Sequence, residues 1–404
     1  MTEVMRGFRV LEVAEHTFVP AASALLADWG AEVIKIEHVE RGDAMRGLMS
    51  SGLAMLNTNV HVLLEHSNRG KRSLGLDLTT DEGLDILYRL AGTCDVFLTN
   101  KLPEVRSKLK IDLEDIRAHS PDIVYVRGTG QGERGPHADR GSYDALGYWA
   151  RSGIAMGIKP VDEVQVPNAP PAFGDSIGAM TLAGGIMGAL LHRERTGEAT
   201  EVDVSLLGVG LWSLGAAMAL SLQLGFPWGA PAVDSPTGNP LVGIYPTSDG
   251  RALSFSCLQA HRYWADAWRC FGQPELGDDD RFATAEAMAA NVEEATRLVR
   301  STLATRPAAE WVERLQGFSG QWTLVQDTLE AAADPQSVAN GYIQDCATAD
   351  GIPFQLVAAP IQYGGAPAQP GRAPEFNEHG DAILGEIGLD WDTIVDLKVR
   401  GVVA

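Results

Sequence analysis

Through the first 130 residues, short apolar runs alternate with segments whose apolar positions recur every three or four residues. FRVLEVA (8–14), AEVIKIEH (31–38), RSLGLDL (72–78), CDVFLTN (94–100) and DIVYVRG (122–128) are runs of strand length, rich in Val, Ile and Leu. Between them PAASALLADWG (20–30), DEGLDILYRLAGTC (81–94) and LEDIRAHS (113–120) carry helical spacing. Strands buried on both faces read as near-continuous apolar runs, so this alternation predicts βαβ units in a parallel sheet with helices on both faces.

Beyond Gly197 the pattern loosens. EVDVSLL (201–207) predicts one more strand, running into a single apolar helix over LGVGLWSLGAAMALSLQLG (207–225). PWGAPAVDSPTGNP (227–240) has linker composition, and YPTSDGRALSFSC (245–257) predicts a hairpin turning at Ser248–Gly250. Helical segments are expected next at 261–271, 283–304 and 307–315, and a second Pro/Gly-rich stretch (363–374) leads to a helical tail. The fold class expected is α/β. Residues 1–224 form a Rossmann-like large domain, 225–325 a smaller inserted α+β domain, and 326–404 a return segment that completes the large one.

Charge narrows the partners. Fifty-three acids against 32 lysines and arginines leave the 404-residue chain at −21, which argues against nucleic acid and requires a local basic pocket for any anionic ligand. Cys94, Cys257, Cys270 and Cys346 lie far apart with no C-x-x-C pair, as expected of free thiols in a cytoplasmic protein without a metal site. The N-terminus lacks a signal peptide's apolar core. The longest uncharged apolar run, Ser176–Leu191, is Gly-rich and short for a membrane span, so a buried helix is expected there and no membrane partner. GQGERG (130–135) fits G-x-G-x-x-G, but Pro136 and loop residues come after it where a dinucleotide site needs a helix to open, so a turn-rich loop is expected.

One acid stands out. In PPAFGDSIGAMTLAGGIMGALLHR (170–193) Asp175 is the only carboxylate. Residue type favours a helix N-cap. The alternative is a nucleophile, stripped of water by apolar neighbours and held ionised by the helix dipole.

GFRVLEVAEHTFVPAASALLADWGAEVIKIEHVERGD, NRGKRSLGLDL, SPDIVYVRGTGQGERGPHADRGSYD, GDSIGAMTLAGGIMGALLHRERTGEATEVDVSLL and the closing APEFNEHGDAILGEIGLDWDTIVDLKVRGVV occur in that order. Together they closely resemble the family III CoA-transferases, the group that contains formyl-CoA and carnitine CoA-transferases. The likeness spans nearly the whole chain and is loosest over 225–330. It implies transfer of CoA from an acyl-CoA thioester to a carboxylic acid, with no permanently bound cofactor, in an interlocked homodimer. It makes Asp175 the nucleophile, forming first an aspartyl anhydride and then an aspartyl-CoA thioester, with backbone N–H groups at the helix entrance available to the oxyanions.

By the same resemblance Asn100, Lys101 and Lys108 fall at CoA contacts, within the basic cluster NKLPEVRSKLK that also reads as a solvated helix face. Leu76 falls at an adenine-packing position or is a core strand residue. His38 replaces a phosphate-binding Arg, for which Arg41 can substitute. Thr17 replaces a catalytic Gln, and only Gly238 survives from a glycine-rich loop near 234–240; both departures argue against formyl-CoA and oxalate as substrates. An α-methylacyl-CoA racemase of the same fold is the rival reading. It needs a His-Asp pair where this chain has Tyr143-Asp144, and a Glu missing from RALSFSCLQAHRYWADAW. A catalytically silent acyl-CoA-binding subunit is the other alternative, and the retention of Asp175 and Tyr143 weighs against it.

Overall fold

In the computed structural model the described residues are 2–232, 235 and 238–404. The apolar runs form β1 (Arg9–Val13), β2 (Glu32–His38), β3 (Arg72–Leu76), β4 (Val96–Thr99) and β5 (Val124–Thr129), and β6 (Glu201–Ser205) joins them. All pair in parallel in the order β3-β2-β1-β4-β5-β6. The order departs from β1 in both directions. Its connections therefore leave a crevice at the carboxyl ends of β1 and β4, where open α/β sheets bind ligands.

The crossovers are α1 (Phe18–Asp28), α2 (Val62–Asn68), α3 (Asp81–Ala91), α4 (Pro103–Lys108) and α5 (Leu113–Arg117). After β5, α6 (Ile154–Ile158) and the long α7 (Phe173–Thr196) precede β6. Strand residues alternate between two cores, as a two-residue side-chain period requires. Val10, Val33, Val96 and Val124 pack with α1 and α7 on one face, and Leu11, Ile34, Phe97 and Tyr125 pack with α3 on the other. By length and composition α7 is apolar enough to cross a membrane, yet Gly178, Leu182, Ala183, Ile186 and Leu190 along it are buried. Gly178 permits the close approach to α1, since a Cβ there would lie 2.6 Å from the Phe18 ring.

The apolar stretch after β6 is not one helix. It forms α8 (Leu206–Ser213) and α9 (Gly215–Leu224), bent 72° at Leu214, which is not helical (ψ 12°) and precedes a glycine. Nor is it core: α9 buries none of its residues, Trp212 is 85% exposed and Leu222 80%.

The chain parts into two compact units, one of Met1–Lys159, Gln165–Gly229 and Pro335–Ala404, the other of Pro160–Val164 and Ala230–Asp334. In the second unit β7 (Val242–Pro246) and β8 (Ala252–Ser256) form the expected hairpin. The helices α10 (Ala260–Phe271), α11 (Pro274–Gly277), α12 (Ala285–Ala290), α13 (Val292–Leu303) and α14 (Ala308–Leu315) come next. The segment 283–304 is split at Asn291, whose side chain bonds the Ala287 carbonyl. The strand β9 (Trp322–Leu324) extends the hairpin to three strands, and α15 (Thr328–Ala333) closes the unit.

The first unit resumes with α16 (Pro335–Ala339) and the antiparallel hairpin of β10 (Ile343–Ala347) and β11 (Pro353–Val357). It ends in α17 (Gly380–Glu386) and α18 (Trp391–Val399), whose Ile383, Leu384, Ile394 and Leu397 join the α3 face of the sheet core.

Candidate active site

The loops that leave the carboxyl ends of β1, β4 and β5 build the site. After β1 the chain turns through Glu15, His16 and Thr17. His16 adopts a left-handed backbone (φ 70°), uncommon for a residue with a side chain. Its N–H donates to Asp43 Oδ1 at 3.0 Å. Asp43 is itself anchored, because its other oxygen lies 2.8 Å from Lys35 Nζ, which is 2.7 Å from Glu12, and Glu12 is 2.7 Å from Lys71. These four charges are buried. Burial works against the charge on Glu12, but Lys35 and Lys71 outweigh it and hold the carboxyl below its usual range. Burial pulls Lys71 down to about 7, with the Lys35 charge adding to it and Glu12 opposing.

After β4, Asn100 ties the two loops together: its Oδ1 accepts from the Glu15 N–H at 3.2 Å and its Nδ2 donates to the Glu15 carbonyl at 2.7 Å. The Glu15 carboxylate pairs with Lys101 and lies 3.7 Å from Arg41. After β5 comes GQGERG, in loop as expected, with no helix opening on it. The chain returns at Ser142-Tyr143-Asp144, and the His16 ring stands edge-on to the Tyr143 ring, 5.4 Å between centroids at 88°.

Asp175 completes the arrangement from the first turn of α7. The N-cap of this helix is Ala172, itself left-handed (φ 54°), and no side chain of its own caps it. The cap comes from elsewhere in the chain: Asp144 accepts hydrogen bonds from the Gly174 N–H (3.3 Å) and the Ala145 N–H (2.7 Å). Asp175 is thus not an N-cap, and the expectation that the helix end holds it ionised is corrected. Burial, and secondarily the charge of Asp144, push its carboxyl up to about 8. Among the described residues, none donates a hydrogen bond to that carboxylate. The Gly174 amide, expected among the oxyanion donors, is taken by Asp144. Burial also raises Asp144, against the backbone amides that favour its charge.

Asp175 lines a cleft of about 430 Å³ together with His16, Thr17, Asn100, Lys101 and Tyr143. An adjoining hollow of about 210 Å³ over the ends of β2 and β3 is lined by His38, Arg41, Leu76 and Lys101. Glu15, Arg41, Lys101 and Val105 line both. Leu76 fulfils both expectations at once, being a buried strand residue and a wall of the hollow. Two residues are not brought in. Lys108 ends α4 as an exposed side chain and lines neither cavity, because Lys101 lies before that helix and no helical spacing connects the two. Gly238 is an exposed residue of the second unit, and 234, 236 and 237 of its loop lie outside the described residues. Arg106, in the same basic cluster, is buried between Asp112 (2.9 Å) and Glu133 (2.7 Å) and so holds the fold.

Three residues went unflagged by sequence reasoning: His16, Arg140, which also lines the cleft, and Asp144 as an external cap. A histidine and an arginine in loops after β1 and β5, at the carboxyl edge of a parallel sheet, were the available signal.

Comparison with known proteins agrees with this geometry. The model for CoA-transferase family III matches residues 5–380. The (R)-2-hydroxy-4-methylpentanoate CoA-transferase of Clostridioides difficile is 26% identical, over 99% of both chains. Cinnamoyl-CoA:phenyllactate CoA-transferase of Clostridium sporogenes is 27% identical, over 98% of this chain and 96% of the relative. The probable fatty acyl-CoA transferase Rv3272 of Mycobacterium tuberculosis is 32% identical, over 80% of this chain and 84% of the relative. Its crystal structure superposes with a TM-score of 0.79 at 28% identity, covering 95% of this chain and 99% of that one. It has also been crystallised as an aspartate-to-alanine mutant.

Proposed function

Because the chain belongs to CoA-transferase family III, and so is an enzyme moving CoA between an acyl thioester and a carboxylate, we propose that Asp175 is its nucleophile. One observation carries this: a carboxylate in a cleft at the sheet's carboxyl edge, unbonded and with its acidity weakened to about 8 by burial. A poorly solvated, weakly acidic carboxylate is a strong nucleophile once ionised.

The Asp175 oxygen attacks the thioester carbonyl. The C–S bond breaks, CoA leaves as thiolate, and an acyl-aspartyl anhydride remains. The thiolate then attacks the aspartyl carbonyl, expelling the first carboxylate and leaving aspartyl-CoA. The acceptor carboxylate attacks that thioester to form a second anhydride and free thiolate. Attack of the thiolate on the acceptor's acyl carbon yields the new acyl-CoA and restores Asp175. No proton is consumed overall, so the cleft needs donors for oxyanions rather than an acid–base pair. Thr17 and Tyr143 supply hydroxyls there.

The smaller hollow suits the nucleotide end of CoA, with Leu76 against the adenine and His38 and Arg41 toward phosphate, while Asn100 and Lys101 lie where the two cavities meet. Two relatives named for 2-hydroxy acids, (R)-2-hydroxy-4-methylpentanoate and phenyllactate, support acids of that class as substrates. The exposed apolar surface of α8 and α9 supports a homodimer, since patches of that kind mark interaction sites. A cytoplasmic location fits the same metabolic role.

The test is a panel of acyl-CoA donors against carboxylic acids, run with the wild type and with Asp175→Asn. Transfer by the wild type and a loss on the order of a thousandfold in the variant are expected. Undiminished transfer by the variant would overturn the assignment.

A further inference from the structure

We propose that His16 determines specificity for the acid substrate, its imidazole hydrogen-bonding an oxygen function carried beside the reacting carboxyl, such as the hydroxyl of a 2-hydroxy acid. This rests on the reading of Asp175 as the nucleophile, which puts the reacting carboxyl in the cleft that both residues line.

The backbone is the first ground. A left-handed non-glycine residue is strained, and such strain persists where the surroundings over-determine it, most often at functional sites. At His16 they do so from one side: the N–H is fixed by Asp43, and Asp43 by the buried Lys35–Glu12–Lys71 chain. From the other side Asn100 clamps the neighbouring Glu15 backbone through two hydrogen bonds. A fully buried ionic network thus holds one loop residue in an uncommon conformation at the mouth of the active site.

The ring is the second ground. It is half-buried, rests edge-on against Tyr143, and makes no hydrogen bond to any described residue. Its hydrogen-bonding capacity is therefore available to a ligand in the cleft. A neutral imidazole offers one donor and one acceptor, which complements a hydroxyl's own donor and acceptor. The cations nearby are less suited to that task, since Lys101 and Arg41 both face the Glu15 carboxylate.

The experiment uses the full-length enzyme and matched acids that differ only in the hydroxyl: 2-hydroxy-4-methylpentanoate against 4-methylpentanoate, and phenyllactate against 3-phenylpropanoate. The donor is the CoA thioester of the deoxy acid, and isotopically labelled deoxy acid reports self-exchange. His16→Gly removes the ring at no backbone cost, and His16→Asn tolerates the left-handed turn while restoring a donor and an acceptor. The wild type should favour the hydroxy acid by about tenfold or more in kcat/KM. That preference should collapse in His16→Gly and partly return in His16→Asn, with KM for the acyl-CoA unchanged. A wild type without preference, or a preference that survives in His16→Gly, overturns the proposal. Failure of the Asp175 reading shows separately, as transfer that persists in Asp175→Asn.

Discussion

Asp144 Oδ2 lies 3.3 Å from the amide of Gly174, one residue before Asp175, and accepts its hydrogen bond. The acid that caps α7 is therefore a different residue from the acid exposed in the cleft. The capping charge also raises the proton affinity of Asp175, after the larger effect of burial. Replacing Asp144 by Asn keeps an acceptor for the Gly174 amide and removes the charge. The acid limb of kcat/KM against pH should then move to lower pH by up to about one pH unit, because Asp175 ionises more readily. A pH–rate profile of the two proteins measures this, and an unmoved limb would show that the two carboxyls are not coupled.

Stability should respond to pH through Asp175. Its carboxyl rises from an ordinary 3.8 to about 8 on folding, so between these values the folded protein retains a proton that the unfolded chain has released. Stability from this group is complete below pH 4 and is lost as pH rises through 8. Asp175→Asn, uncharged at every pH, escapes the loss. Urea titrations should find the two proteins alike near pH 4 and the variant more stable by about 1–3 kcal/mol near pH 8.5.

The buried charges beneath the cleft should be intolerant of single deletions. Lys35→Met leaves Glu12 and Asp43 each short of a partner at sites with no solvent access. A loss of about 3–5 kcal/mol is expected, since breaking a buried pair strands a charge. Denaturant unfolding measures it, and a change below about 1 kcal/mol would mean that water reaches the network.

Much of this arrangement is legible in the chain, for physical reasons that also explain the rest. β1, β2, β4 and β5 are buried on both faces, which forces the near-continuous Val, Ile and Leu runs by which they are recognised. IQDCA and PFQLV form a hairpin whose residues are mostly half-buried or exposed, so β10 and β11 carry no such pattern. The bend at Leu214 lacks the proline that would mark it. Asp175 stands out because an apolar helix tolerates few acids. Its external cap is invisible because Asp144 lies far upstream, 30 residues before the amide it caps. His16 is invisible because nothing local marks its left-handed turn, which is imposed by a buried aspartate 27 residues away.

The exposed apolar surface of α8 and α9 predicts self-association. Light scattering should find a dimer for the wild type and a monomer, or a markedly weaker dimer, for Trp212→Glu combined with Leu222→Glu. A monomeric wild type would leave that surface to another partner.

The most direct test of the central claim is capture of the covalent intermediate. The enzyme is incubated with an acyl-CoA substrate and hydroxylamine, digested and analysed by mass spectrometry. Asp175 as nucleophile predicts a hydroxamate on the peptide carrying that residue, formed only when acyl-CoA is present. An unmodified Asp175 in enzyme that is turning over, or a hydroxamate on another carboxylate, would contradict it.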